Sequence, residues 1–220
     1  MVSSRIICSA CLSAPKITEM PHLSSISEIR MGATLRGRDA TRPDPKGSYR
    51  FVRIGDISQD GRFDNTDFLR IEPNEPVSAE LCLRPGDVLF PNRGTRTTAI
   101  AYRFDEPRTI VGSQFFIVRA DTTLLLPEFL AWFLRTDESC RHFESRRKGS
   151  HVQTVQRQDL AELEIPLPPV ETQRKIVQAA DLAAVERQLT ERLLDLRRQL
   201  IGGKLLKAAT NSPQPKKSRS

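Results

Sequence analysis

The hydrophobic positions of this chain follow three rhythms in turn. Up to about residue 126 they come in short bursts broken by turn-forming residues. LSSISEIRMG (23–32) sets Leu23, Ile26 and Ile29 three apart, which predicts a short helix or helical turn. GATLRGRDATRPDPKGS (32–48) is rich in Gly, Pro and Asp and reads as a loop. YRFVRIGDI (49–57) is β-branched and aromatic enough for a strand, and SQDGRFDNTD (58–67) is turn chemistry. LRPGDVLF (83–90) reads as a turn feeding an apolar strand, and PNRGTRTT (91–98) as a polar loop. AIAYRF (99–104) and TIVGSQFFIVRA (109–120) read as strands, the second suited to burial on both faces.

From Pro127 the period becomes helical. Pro127 suits the first turn, where its missing N–H costs nothing, and Phe129, Trp132, Phe133, Cys140 and Phe143 fall on one face of a single predicted helix. RRKGS (146–150) ends it, with cations near the negative end of the dipole and Gly149 as a cap. RQDLAEL (157–163) predicts a further short helix. In EIPLPPVETQRKIVQ (164–178), Pro166, Pro168 and Pro169 then form a hard stop.

The third rhythm follows that stop. Leu182, Leu189 and Leu196 repeat every seven residues, Leu193 and Leu200 form a second row beside Val185, and Glu186 interrupts one position. Gly202 and Gly203 are the first interruption. About 30–36 helical residues would reach roughly 45–54 Å. So long a stripe exceeds what a domain of about 150 residues can cover, so it predicts a coiled coil with a partner helix. The organisation expected is a disordered leader over 1–20, a mixed α/β (α+β) domain over 21–169, one long helix over 170–207 and a disordered basic tail over 208–220.

Composition narrows the class. With 38% hydrophobic and 28% charged residues the chain reads as globular, and it holds no apolar run of membrane-spanning length. The start, MVSSRIICSACLSAP, is only faintly signal-like, since Ser9 and Ser13 break its apolar patch. Cys8 and Cys11 form one C-x-x-C without a second pair, Cys82 and Cys140 stand apart, and all four are expected as free thiols in a cytoplasmic protein. The formal net charge is +7, yet up to Pro169 there are 23 basic and 22 acidic residues. The charge is segregated all the same. Arg30, Arg36, Arg38, Arg42, Lys46, Arg50 and Arg53 face only Asp39 and Asp44, and the next stretch to Glu80 is acidic. Such a division suits a body with one phosphate-seeking face.

Catalytic signatures are missing from the sequence. It has no G-x-G-x-x-G, P-loop or H-E-x-x-H, and His22, His142 and His151 pair with no nucleophile at local spacing. Asp87, after Pro85 and Gly86, reads as a turn residue. No metal site and no cofactor site is predicted.

Several segments together carry a resemblance. LRPGDVLFPNRGT (83–95), IVGSQFFIVRA (110–120), LPEFLAWFLRT (126–136), GSHVQTVQRQDLAELEIPLPPVETQRKIV (149–177) and the helix that follows resemble, in order and spacing, the DNA specificity subunit of Type I restriction-modification systems in a half-length form. The match spans about residues 20–207. The leader before Leu23 has no counterpart, and Thr97 stands where the family often has a second Gly.

The resemblance implies a target-recognition domain followed by a spacer helix. Family members carry this unit twice, and their two helices pack antiparallel. A half-length chain would therefore pair with a copy of itself or with another half-subunit, through Leu182, Leu189, Leu193, Leu196 and Leu200. The resemblance further implies a non-catalytic subunit that directs a DNA adenine methyltransferase, which itself would bind S-adenosylmethionine, to a bipartite target in double-stranded DNA. The competing readings are a stand-alone DNA-binding regulator, a metal-dependent nuclease and a coiled-coil protein with no DNA role. By position, Asn92, Arg93, Thr95, Arg96 and Thr97 are the candidates for reading bases, because Asn and Arg make bidentate contacts to adenine and guanine edges. Arg36, Arg38, Arg42 and Lys46 are candidate phosphate contacts. Arg146, Arg147, Lys148, Ser150, His151 and Gln153 are candidates shared between DNA and the helix end.

Overall fold

The computed structural model describes residues 20–37, 41–58, 60–94, 98–146 and 153–210. It divides into two compact units, one ending at Arg174 and the other beginning at Lys175.

The first unit is mixed α+β with two small sheets. The helical turn α1 (Leu23–Ile26) runs directly into strand β1 (Ser27–Met31), so the predicted helix is one turn long and Ile29 belongs to a strand. Strand β2 (Tyr49–Val52) follows the early loop, then β3 (Leu69–Ile71), a three-residue strand too short to show in the hydrophobic pattern. Strands β4 (Val88–Pro91) and β5 (Ile100–Ala101) form a hairpin, and β6 (Thr109–Val111) and β7 (Phe115–Ala120) come next. One sheet has the order β1-β7-β4-β5 and the other β3-β2-β6, in which β2 and β6 run parallel.

The segment expected to be one strand, TIVGSQFFIVRA, is therefore two. It breaks at Gly112, where the chain leaves the three-stranded sheet and enters the four-stranded one. The end of β1 crosses at the same place: Gly32 N donates to Phe115 O at 2.9 Å and Ala33 N to Val111 O at 2.8 Å. A Cβ on Gly32 would collide with the carbonyl oxygens of Gly112 and Val111, so only glycine admits this approach. A core of Val52, Leu89, Val111, Phe115 and Ile117 fills the space beneath, edged by rings of Phe63, Phe68, Tyr102 and Phe104 with centroids 5.2 to 6.4 Å apart.

The predicted single helix from Pro127 is also two, α2 (Pro127–Phe133) and α3 (Asp137–Glu144). Pro127 takes the first turn as expected. Thr136 then starts a new helix: its side chain accepts from Ser139 N, and Asp137 and Glu138 occupy the positive end of the dipole. Phe143 still reaches the core, 4.9 Å from Phe90 between ring centroids. Helix α4 (Arg157–Ala161) forms where RQDLAEL predicted it.

Asp87 does more than turn the chain. It is buried, accepts from Arg84 N at 2.9 Å, and takes Nε and Nη2 of Arg119 at 2.7 and 2.8 Å. That carboxylate raises the pKa of the Arg119 guanidinium. Cys82 and Cys140 form no disulfide among the described residues, and burial pushes the Cys82 thiol up.

Helix α5 (Val170–Thr210) begins directly after the prolines. It continues through Gly202 and Gly203, three residues beyond the expected end at 207, although each glycine costs a helix interior about 1 kcal/mol relative to alanine. Pro169 O accepts from Thr172 N and Gln173 N, at 2.8 and 3.0 Å. Gln173 is fully buried: Nε2 donates to Leu124 O and Pro168 O at 2.8 and 2.9 Å, and Oε1 accepts from Leu126 N at 2.8 Å. One side-chain amide thus ties the first turn of α5 to the start of α2. Leu182, Leu189, Leu193, Leu196 and Leu200 are all exposed. Leu182, Leu189 and Leu193 line a groove along the helix with Val185, Glu186 and Thr190. Leu194, Ile201 and Leu205 form a second exposed apolar row roughly a third of a turn away. Among the described residues, no helix is long and apolar enough to cross a membrane.

Gln173→Leu keeps the volume and removes three hydrogen bonds, those to Leu126 N, Leu124 O and Pro168 O. Thermal unfolding should show a loss of about 2–4 kcal/mol. An unchanged melting temperature would mean that the amide contributes nothing to the helix start.

Candidate nucleic-acid interface

Several stretches far apart in the sequence meet around one open cavity of about 410 Å³. The early loop contributes Ala33, Leu35, Thr41 and Pro43, and the β2–β3 sheet contributes Phe51, Arg53 and Leu69. Arg93 comes from the loop after β4, and Gly112, Ser113 and Gln114 from the turn where the chain changes sheets. The cavity depends on the glycine crossing, since Ala33 and Gly112 bridge in parallel there.

A further stretch closes on the loop after β4 by backbone pairing. Val155 N donates to Asn92 O at 2.9 Å, Gly94 N donates to Gln153 O at 2.8 Å, and Arg93 and Thr154 form an antiparallel bridge. Two candidate loops some sixty residues apart in sequence are therefore neighbours, and Arg93 and Gln153 are both exposed.

Charge pairing sorts the basic stretch from Arg30 to Arg53. Arg30 is held by Glu28 and Glu80, each at 2.6 Å, Arg50 by Glu106 at 2.9 Å and Arg53 by Asp56 at 3.0 Å. Hydrogen bonds to Glu28 and Glu80 raise the Arg30 pKa, and Arg30 in turn lowers that of Glu28. Arg36, Arg42, Lys46 and Arg93 are exposed and make no ion pair among the described residues. The local surplus of positive charge thus sits on the early loop and on the loop after β4. Among the described residues no cluster of His, Cys, Asp or Glu could hold a metal ion.

The sequence model for the Type I restriction modification DNA specificity domain matches residues 15–195. The chain belongs to that family. Among solved structures, the fold is similar to a chain from a structural study of complex assembly and conformational transition of the type I R-M system. The TM-score is 0.59 at 21% identity, with 87% of this chain and 45% of that one covered. It is also similar to the HsdS subunit from Thermoanaerobacter tengcongensis (TM-score 0.55, 21% identity, 86% and 41% covered). A third similarity is to the Type-I restriction-modification system S subunit from M. genitalium (TM-score 0.53, 16% identity, 86% and 45% covered). The chain spans less than half the length of each of these. Among curated proteins, none matches it.

The expected site residues of this specificity domain separate into groups. Arg93 and the Thr41–Pro43 segment that holds Arg42 meet at the cavity, and Gln153 is joined to the Arg93 loop through Gly94. Arg36 is exposed beside Leu35 and lines a smaller neighbouring pocket with Asn74, whose side chain donates to Arg36 O at 3.0 Å. Lys46 lies in the turn where its backbone N–H donates to Asp44 at 2.9 Å. Arg146 folds back on the end of α3, its Nη1 3.1 Å from His142 Nδ1 and donating to His142 O at 3.3 Å, so it caps the helix. Arg38, Thr95, Arg96, Thr97, Arg147, Lys148, Ser150 and His151 lie outside the described residues, as do nearly all of the leader and the tail after Thr210.

Asn92 does not stand where a base reader would. It is 6% exposed, its Nδ2 donates to Ser113 O at 2.9 Å, and its backbone N–H donates to Gln114 O at 2.9 Å. Its amide holds the sheet-changing turn, and polarity alone does not distinguish that duty from base reading. Conversely, Arg53, Ser113 and Gln114 line the cavity although none is among the candidate site residues. In the sequence Arg53 is one member of a basic run, and Ser113 and Gln114 fall in the middle of an apparent strand.

Asn92→Ala should lower stability by about 1–3 kcal/mol, because Ser113 O loses its donor in a buried setting. Differential scanning calorimetry would read this as a clear drop in melting temperature; a solvent-facing base reader would leave the temperature unmoved.

Proposed function

We propose that this chain is the DNA-recognition and scaffold subunit of a Type I restriction-modification-like system, in half-length form, and performs no catalysis itself. The observation that carries the reading is the convergence of the early loop and the loop after β4 around one cavity, with the 153–155 run paired to the loop after β4. Arg93 lines that cavity, Arg42 lies between its lining residues Thr41 and Pro43, and Arg36 and Lys46 lie on the same early loop, all four without an ion pair among the described residues, in a chain of the DNA specificity-domain family.

In this reading duplex DNA lies against the cavity face. Arg36, Arg42 and Lys46 neutralise phosphates, which gives affinity and orientation without sequence information. Side chains at the cavity rim, Arg93 among them, reach base edges in the major groove. The exposed leucine row of α5 pairs with the same helix of a second copy. Two recognition domains then read two half-sites, and a two-fold pair favours a palindromic bipartite target. The second apolar row, at Leu194, Ile201 and Leu205, gives the helix a further face for a DNA adenine methyltransferase subunit, which carries S-adenosylmethionine. The duty of the chain is to present a chosen sequence to that enzyme.

Two measurements test the two halves of the proposal. Light scattering should give a dimer for the intact chain and a monomer for Leu189→Asp combined with Leu196→Asp; a monomer in both cases removes the self-paired arrangement. For the DNA face, the combined change Arg42→Ala, Lys46→Ala and Arg93→Ala should weaken duplex binding. It should also flatten the plot of log affinity against log salt by about 0.9 for each phosphate that is no longer neutralised. An unaltered slope and affinity would move the DNA to another surface.

A further inference from the structure

Arg53 differs from the other cations around the cavity. It is the residue before the 3-10 turn Ile54–Asp56, and Asp56 is 4% exposed. The Asp56 carboxylate accepts from Arg53 N at 2.8 Å, which starts the turn. The same carboxylate holds the guanidinium: Nη2 donates to Oδ1 at 3.0 Å and Nε lies 3.4 Å from Oδ2. Arg53 is nonetheless half exposed and lines the cavity beside Arg93. One edge of the planar fork is thus committed to a buried carboxylate, and the Nη1 side has no protein partner among the described residues.

We infer that Arg53, buttressed by Asp56, is a specificity-determining residue that reads the O6 and N7 edge of a guanine in the DNA target. The inference rests on the DNA-recognition reading above and deepens it. A phosphate contact tolerates a loose cation, as Arg42 and Lys46 are. An arginine held along one edge has less rotational freedom to lose when the DNA arrives, so its remaining donors favour one direction and less ordering accompanies binding. Fixed direction is of use only against an acceptor pair of fixed geometry, and two coplanar acceptors on a guanine edge are the most frequent such partner of arginine in the major groove. Asp56 is then a positioning residue, touching no DNA.

The test selects bound sequences from a random duplex library with the full 220-residue chain, as wild type, Arg53→Lys and Asp56→Asn. Arg53→Lys keeps the charge and loses the planar fork. The expected result is a wild-type consensus containing at least one G·C pair per half-site whose preference falls on the order of tenfold in Arg53→Lys. The rest of the consensus and the salt dependence should be unchanged. Asp56→Asn should weaken the preference at the same position. Melting curves of both variants check that folding is retained, and a half-exposed Arg53 makes Arg53→Lys the safer of the two. A variant that selects the unchanged consensus overturns the inference, and so does uniform weakening across all sequences, which would mark Arg53 as a phosphate contact. A wild-type chain that selects no sequence would instead sink the DNA-recognition reading on which the inference stands, and that outcome is visible before any variant is compared.

Discussion

Gly32 and Gly112 meet backbone to backbone where the chain passes between its two sheets, and the candidate interface is built around that contact. β1 belongs to the four-stranded sheet and β6 to the three-stranded one, and each continues past its glycine toward the other sheet. Any side chain at Gly32 would push the carbonyls of Val111 and Gly112 away. The Ser113–Gln114 turn would then move relative to Ala33 and Leu35, and all four line one cavity. Asn92 secures the same turn from the opposite side, with one side-chain bond and one backbone bond to it. A rigid crossing and a buried amide thus give exposed loops a fixed platform, an arrangement in which binding residues can sit on loops without losing precision.

Charge completes what the backbone begins. A body with nearly equal numbers of acids and bases would present no field if its pairs were shared evenly. Here Arg30, Arg50 and Arg53, all on or next to strands, are paired with acids, whereas Arg36, Arg42, Lys46 and Arg93 on the loops make no ion pair among the described residues. Arg53 falls between the two classes, paired and yet facing the cavity.

Much of this is legible along the chain, for identifiable reasons. The proline stop and the seven-residue leucine rows announce α5 because both are local patterns, and the polar loops at 32–48 and 91–94 announce themselves by composition. What escapes a reading of the sequence depends on partners distant along it. Gln173 sits among polar neighbours in an amphipathic stretch, and only Leu124 and Leu126, nearly fifty positions earlier, make it a buried anchor. TIVGSQFFIVRA looks continuous because nothing local says that its halves pair with different sheets; Gly112 is the one available hint. The break between α2 and α3 is readable, since Thr136 followed by Asp137 and Glu138 is a helix start, but the apolar row running across it outweighs that signal. Asn92 misleads because a polar residue in a polar loop is expected to face outward.

Two segments 140 residues apart, one before α1 and one after α4, adjoin in the first unit. Pro21 to Leu23 lie beside Leu163 to Ile165, tied by Leu23 N to Leu163 O at 2.9 Å and Ile165 N to Pro21 O at 3.0 Å, with His22 Nδ1 2.9 Å from Glu162 O. The described chain from Pro21 to Ile165 therefore begins and ends at one spot. Segments with adjoining ends can be spliced into or out of a longer polypeptide with little strain on what flanks them. Such a unit is suited to exchange as a cassette, since the helix that follows begins beyond the point where its segments adjoin.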